Sequence, residues 1–228
     1  MTPQALVFDF DGLILDTETA EYDTVAAAFA DHGVPLPLHR WQDVVGRADH
    51  PHWLDWLEAE LGRPVPDRTA VLERRRAAHH VRIADEVVRD GVVALLAEAE
   101  RRRVPVAVAS SSPRSWVEPH LERLGLRGHF GVVRCRDDVD RAKPWPDLYL
   151  AVTAELGVCS ARCVALEDSH HGARAAKAAG LACVVVPNRI TAGTDLAHAD
   201  VVLASLADLR WDVLVDLTAG PGAAVGGS

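Results

Sequence analysis

The chain opens on an apolar run, Ala5-Leu6-Val7-Phe8, that stops at Asp9 and, after Phe10, at Asp11-Gly12. A run without polar alternation is the pattern of a strand buried on both faces of a parallel sheet, so this stretch predicts a strand whose carboxyl end carries two acids. From Asp16-Thr17 the apolar spacing changes to three and four. Tyr22, Val25, Ala26, Phe29 and Ala30 predict a helix over 18–32, stopped by Gly33, Pro35 and Pro37. The same spacing predicts helices over 40–46, 50–61 and 67–84, with no strand between them.

Beyond Gly91 helices and strands alternate. Val92, Leu95, Leu96 and Ala99 mark a helix, and 104–109 a buried strand ending in Ser110-Ser111-Ser112-Pro113. Pro113 suits the first position of the next helix, with Ser112 as its cap, and Trp116, Leu121 and Leu124 carry that helix to Gly125. A short strand over 130–134 leads to a polar loop with Lys143, which Pro144 holds extended, and a helix over 146–157 follows. Residues 163–166 predict a strand ending at Glu167-Asp168, after which His170-His171-Gly172 opens an Ala-rich helix to Gly180, the paired histidines reading as a polar loop rather than a metal site. Strands over 181–186 and 201–203 complete the pattern, and the Gly- and Ala-rich tail from 219 to 228 is expected to fray.

This order predicts an α/β domain on a parallel sheet, formed by 1–16 and 86–228, with an all-helical insertion over 17–85. An insertion that leaves the sheet just after Asp9 and Asp11 sits over the strand ends, where it can act as a lid. The 33 acidic against 24 basic residues, a net charge of -9, argue against nucleic-acid binding. The basic runs Arg74-Arg75-Arg76 and Arg101-Arg102-Arg103 fall in helical patterns and read as solvated faces. No stretch approaches the roughly 18 apolar residues that span a membrane, and the amino terminus has no signal-like pattern, so a cytoplasmic protein is expected. Cys135, Cys159, Cys163 and Cys183 lack metal-site spacing and read as buried free thiols.

Asp9 and Asp11 alone fit either a turn with a solvated second acid or an oxygen site for a hard cation with one carboxylate free for covalent work. Their company narrows the choice. Successive strand ends carry Asp9 and Asp11, Ser110, and Glu167 with Asp168, and Lys143 lies nearby. Carboxylates for a cation, together with a hydroxyl and an ammonium for an anion, describe a phosphate-processing site.

These motifs, Asp9-Phe10-Asp11-Gly12 with Asp16-Thr17, then Ser110, Lys143-Pro144 and Glu167-Asp168-Ser169, resemble those of the haloacid dehalogenase superfamily, in its branch with a helical cap after the first strand. The resemblance spans nearly the whole chain. It implies a Rossmann-like doubly wound sheet with Asp9 as a nucleophile that becomes an aspartyl phosphate and Asp11 as general acid and base. It further implies Mg2+ held by Asp9, the Asp11 backbone carbonyl and Asp168, with Glu167 as a direct or water-mediated ligand. Ser110, Ser111 and Lys143 would bind the transferring group, and Arg47 and Arg114 are candidate substrate contacts. Trp53 and Trp56 read as core of the insertion rather than a sugar platform.

Within this branch, an acid at Asp11 argues against dehalogenase and phosphonatase chemistry, and no lysine in 18–85 is available for the phosphonatase Schiff base. A β-phosphoglucomutase-type activity shares the motifs. The chain, however, has Ala20-Glu21-Tyr22-Asp23 where those mutases carry a histidine, and Pro113-Arg114 where they carry a lysine. The expectation is a monomeric phosphatase of small phosphorylated molecules such as sugar phosphates. A catalytically silent binding module is the remote alternative.

Overall fold

The computed structural model describes residues 2–47 and 50–219; the expected fraying of the tail concerns residues that, from 220 on, lie outside those described. Six parallel strands, β1 (Ala5–Phe8), β2 (Val106–Ala109), β3 (Val132–Arg134), β4 (Cys163–Glu167), β5 (Ala182–Val185) and β6 (Val201–Val202), form one sheet in the order β3-β2-β1-β4-β5-β6. The order reverses between β1 and β4, and ligands of doubly wound sheets bind beyond the carboxyl ends of the strands at such a reversal. In register, Phe8 faces Val108 on one side and Leu166 on the other, so Asp9 leaves the sheet level with Glu167.

Both sheet faces are buried, which is why the strand sequences lack alternation. Leu6 and Phe8 of β1 pack with Val106, Val108, Val164 and Leu166 against α5 (Val92–Arg102), α6 (Arg114–Arg123) and α9 (Trp211–Leu217). Ala5 and Val7 point the other way, with Ala107, Ala165 and Cys183, against α7 (Asp147–Leu156) and α8 (His170–Ala178). The small residues of this second face let α7 and α8 lie close to the strands.

Between β1 and α5 come four helices, α1 (Thr17–Asp31), α2 (Leu38–Gln42), α3 (Trp53–Leu61) and α4 (Arg68–Asp85), and no strand among the described residues. They share a hydrophobic cluster of their own, in which Phe29, Trp41, Trp53, Leu54, Trp56 and Leu57 are buried. Ile190, from the loop after β5, enters this cluster from the sheet side. Gln42 adds a bond from its amide Nε2 to the Ile190 carbonyl at 2.7 Å. Where the chain leaves and re-enters, Leu15 bridges Val88, and the Arg89 amide donates to the Ile14 carbonyl at 3.0 Å.

Several elements differ from the sequence expectation. The helix expected over 40–46 is the single turn Leu38–Gln42, because the chain turns over 43–46 to Gly46 in the left-handed region, φ +82°. Pro113 stands just outside α6 rather than inside it, and Ser112 does not cap it. The Asp137 carboxylate accepts the Arg114 amide instead, at 2.6 Å. The Lys143–Pro144 peptide is cis. α8 opens at His170 as expected, so the histidine pair is its first turn and not a polar loop, and His171 is buried, with Nε2 3.0 Å from the Asp43 carbonyl. Of the four free thiols three are buried, but Cys159 is exposed. No described helix is long and apolar enough to cross a membrane.

Gly91, at φ +87°, opens α5 against the backbone of Leu206 and Ala207, which a Cβ would overlap. Gly33 has a similar φ of +77° but open space around it. Gly33→Ala should therefore cost only the left-handed penalty of about 1–2 kcal/mol. Gly91→Ala should add an overpacking cost of about 1–3 kcal/mol. Urea unfolding of the two variants checks this, with Gly91→Ala expected to have the lower midpoint.

Candidate active site

Lys143 lies at the centre of the strand ends. Its side chain is 1 % exposed, and its Nζ is 2.7 Å from Asp9 Oδ1 and 2.6 Å from Glu167 Oε1. The Tyr149 hydroxyl donates to the same Glu167 oxygen, and its ring lies 5.4 Å from the ammonium. Glu167 Oε2 is buried with no hydrogen-bond partner, and it packs against Gly172, where a Cβ would occupy the space of the carboxylate.

Asp168 completes the acidic group. Its Oδ2 accepts the Asn188 side-chain amide at 2.7 Å, and Asn188 Oδ1 in turn accepts the backbone amides of Ile190 at 2.8 Å and Thr191 at 3.0 Å. These two amides fix which end of Asn188 faces Asp168. Gly12, φ +80°, presses its backbone against both side chains, and a Cβ there would overlap them.

Asp9, Glu167 and Asp168 each offer an oxygen within 4.8 Å of the others, and all three are buried. Lys143 is the one cation in contact with them among the described ion pairs, so the cluster carries three potential negative charges against one positive. The strain is visible in the acids. Burial, then the Glu167 charge, pushes Asp9 up to about 8 despite the opposing pull of Lys143. Burial and the charges of Asp9 and Glu167 also raise Asp168 well above the carboxylate range. Burial alone would lower Lys143, but Asp9 and Glu167 outweigh it and hold the ammonium charged. A divalent cation among these hard oxygen donors would restore the balance, so the donor set fits a metal of the Mg2+ type.

Asp11 turns away from this cluster. Its Oδ1 accepts the Thr17 hydroxyl at 2.9 Å and the Trp116 indole N–H at 2.8 Å, while its Oδ2 is 3.3 Å from the Ser110 hydroxyl. Ser110 is wholly buried, and its amide bonds to the Arg134 carbonyl at 2.9 Å. The Ser112 amide bonds to Ser110 Oγ at 3.0 Å. Two amides of this strand end, those of Ser110 and Ser112, are therefore engaged within the protein.

Above the strand ends opens a cavity of about 440 Å³, floored by Asp9, Asp11 and Ser111 and roofed by Arg47, Trp53, Arg75, Arg76, His79 and His80. Arg114 does not reach it. Its guanidinium is held by Glu118 at 2.9 Å, Asp138 at 2.6 Å and the Val133 carbonyl at 3.0 Å, and Arg136 lines the cavity instead. Nor is 74–76 a uniformly solvated face. Arg74 is 73 % exposed, whereas Arg75 is 11 % exposed and pairs with Glu21, another cavity residue. Successive helical residues diverge by about 100°. A signal was available in the sequence, because Arg75, His79 and Ile83 recur at four-residue spacing and the last two are buried.

Comparison with known proteins identifies the family. The model of the haloacid dehalogenase-like hydrolase family matches residues 3–180. The chain belongs to that family. YhcW of Bacillus subtilis, which carries a provisional phosphatase name, is 41 % identical over 213 residues, covering 93 % of this chain and 96 % of its own. The validoxylamine A 7'-phosphate phosphatase of Streptomyces hygroscopicus subsp. limoneus is 32 % identical over 205 residues, covering 90 % and 95 %. Among solved structures, a variant of CbbY from Rhodobacter sphaeroides in complex with xylulose-(1,5)bisphosphate aligns with a TM-score of 0.71 at 31 % identity, over 91 % of this chain and 96 % of that one.

Two outcomes follow from the acidic cluster. Asn188→Ala should weaken Mg2+ binding to the metal-free protein by about 10–100-fold, read by titration calorimetry, because Asp168 loses the group that orients it. The second concerns pH. Asp9 binds its proton far more tightly folded than unfolded, so that contribution to stability is complete below pH about 4 and is lost as pH rises through about 8. A cation must displace the proton, so saturating Mg2+ should raise the unfolding temperature more at pH about 8.5 than at pH about 5.5. Thermal unfolding at both pH values reads the difference.

Proposed function

We propose that this chain is a Mg2+-dependent phosphatase of small phosphomonoesters, sugar phosphates among them, acting through an aspartyl phosphate on Asp9. The observation that carries the reading is Asp9 itself. It leaves the sheet at the reversal point, 2.7 Å from a buried lysine, beside two more buried carboxylates and below an open cavity. A carboxylate is a competent nucleophile only when ionised. The elevated Asp9 accordingly needs both Lys143 and a metal to be ready at neutral pH. Asp9, Asp168 and the Asp11 carbonyl would hold Mg2+, with Glu167 direct or through water. When bound, the ion supplies the positive charge that lets an anionic ester approach these acids.

The residues then divide the work. Asp9 attacks phosphorus in line with the ester oxygen, while Lys143 and the Ser110 and Ser111 hydroxyls meet the charge on the other phosphoryl oxygens. Asp11 protonates the departing alkoxide and afterwards takes a proton from the water that hydrolyses the aspartyl phosphate. The helical block over 17–85 acts as a cap that excludes bulk water and, through Arg47 and the α4 cations, contacts the rest of the substrate. All of these residues come from one chain, so the reading requires no second subunit. Four unpaired thiols suit a cytoplasmic location.

The test is release of inorganic phosphate from a panel of sugar phosphates with Mg2+. The panel includes β-glucose 1-phosphate with a trace of glucose 1,6-bisphosphate, and glucose 6-phosphate is followed in parallel. Phosphate release is expected, with at least a ~10⁴-fold loss of kcat in Asp9→Asn. Glucose 6-phosphate formed without phosphate release would replace the phosphatase reading by a mutase.

A further inference from the structure

Trp116 lies in α6, outside the recognised motifs, yet its indole reaches the proposed acid and base. Asp11 Oδ1 accepts two hydrogen bonds, from Trp116 Nε1 at 2.8 Å and Thr17 Oγ1 at 2.9 Å. Asp11 Oδ2 has the Ser110 hydroxyl alone, at 3.3 Å. A hydroxyl can reverse and accept, but an indole N–H only donates. Oδ1 therefore stays an acceptor whether Asp11 is charged or neutral, and a proton placed there would face the indole hydrogen.

We propose that Trp116 is a positioning residue that confines the Asp11 proton to Oδ2, the oxygen beside the phosphoryl-binding Ser110, and so aims it at the leaving group. This rests on the reading of Asp11 as general acid and base. In the first half-reaction an Asp9 oxygen bonds to phosphorus, the bond from phosphorus to the ester oxygen breaks, and the Oδ2 proton passes to that oxygen, which departs as an alcohol. In the second, a water oxygen bonds to phosphorus, its proton passes to Oδ2, and the Asp9–phosphorus bond breaks to release phosphate.

The indole is itself aimed from the helical block. His79 of α4 stacks on it with ring centres 5.6 Å apart and planes 21° apart, and His120 of α6 meets it edge-on at 4.3 Å. His79 Nε2 is 3.1 Å from Glu21, which Arg75 also pairs with. Seating of α4 on α6 and aiming of the acid are thus one contact.

The test exploits leaving-group basicity. An alkoxide needs the proton as it departs, whereas p-nitrophenolate, a far weaker base, needs little help. Trp116→Phe keeps the ring and removes the donor. With saturating Mg2+, its kcat/KM should fall about 10–100-fold on a sugar phosphate, part of what general acid catalysis supplies, and less than about 3-fold on p-nitrophenyl phosphate. His79→Ala, which removes the ring stacked on the indole and leaves the Asp11 donors in place, should show the same selectivity at about 3–10-fold, and it carries the test if Trp116→Phe does not fold. Equal losses on both esters, or no loss on either, would overturn the proposal. Asp11→Asn is measured alongside. If it too lost kcat/KM, which reports the first half-reaction alone, equally on both esters, the general-acid reading would fail, whereas a selective loss of kcat/KM in Asp11→Asn without one in Trp116→Phe would refute the role of Trp116 alone.

Discussion

Three carboxylates and one ammonium, buried together where a parallel sheet reverses its strand order, are the constraint on which the rest of this structure depends. Isolated charges are not tolerated in such surroundings, and a set with excess negative charge either takes up protons or takes up a cation. The upward displacement of Asp9 and Asp168 is the first response. The second is the chemistry we propose. The groups that make the metal-free site uncomfortable are those that hold a divalent ion and, with it, an anionic substrate beside an anionic nucleophile.

Much of the surrounding fold serves that cluster. Among the described glycines, Gly12 and Gly172 are the two where a side chain would collide with Asp168 and Glu167 respectively. Tyr149, from α7, closes the cluster from below, and the loop after β5 supplies Asn188 to Asp168. Two residues on, that loop places Ile190 in the core of the helical block and its carbonyl on Gln42. The segment that orients a candidate metal ligand is therefore also a segment on which the block rests. On the opposite side Trp116 links Asp11 to α4. Both acidic positions are thus tied to the helices above them.

The sheet and the acids at its edge were legible in the sequence, because a doubly buried strand advertises itself by an unbroken apolar run and its end by the first charge. Lys143, held before Pro144 in a polar loop, was legible only by its company with the acids of the neighbouring strand ends. The supporting residues were not legible. Asp11 and Trp116 are 105 residues apart in sequence, and nothing local to Trp116 distinguishes it from a core aromatic. Arg114 misled because it follows the serines directly, whereas the start of α6 swings it towards Glu118 and Asp138. Arg75 was lost within a basic run whose members point in different directions. Local patterns report burial and strand ends well; they do not report which distant side chain completes a hydrogen bond.

The proposed phosphorylation of Asp9 during turnover is tested most directly by acid-quenching the enzyme as it turns over a sugar phosphate with Mg2+ and mapping the peptides by mass spectrometry. One phosphoryl group is expected on the peptide that carries Asp9, absent when Mg2+ is withheld. Rapid turnover with no phosphopeptide at any quench time, or with the phosphoryl group on another residue, would contradict it.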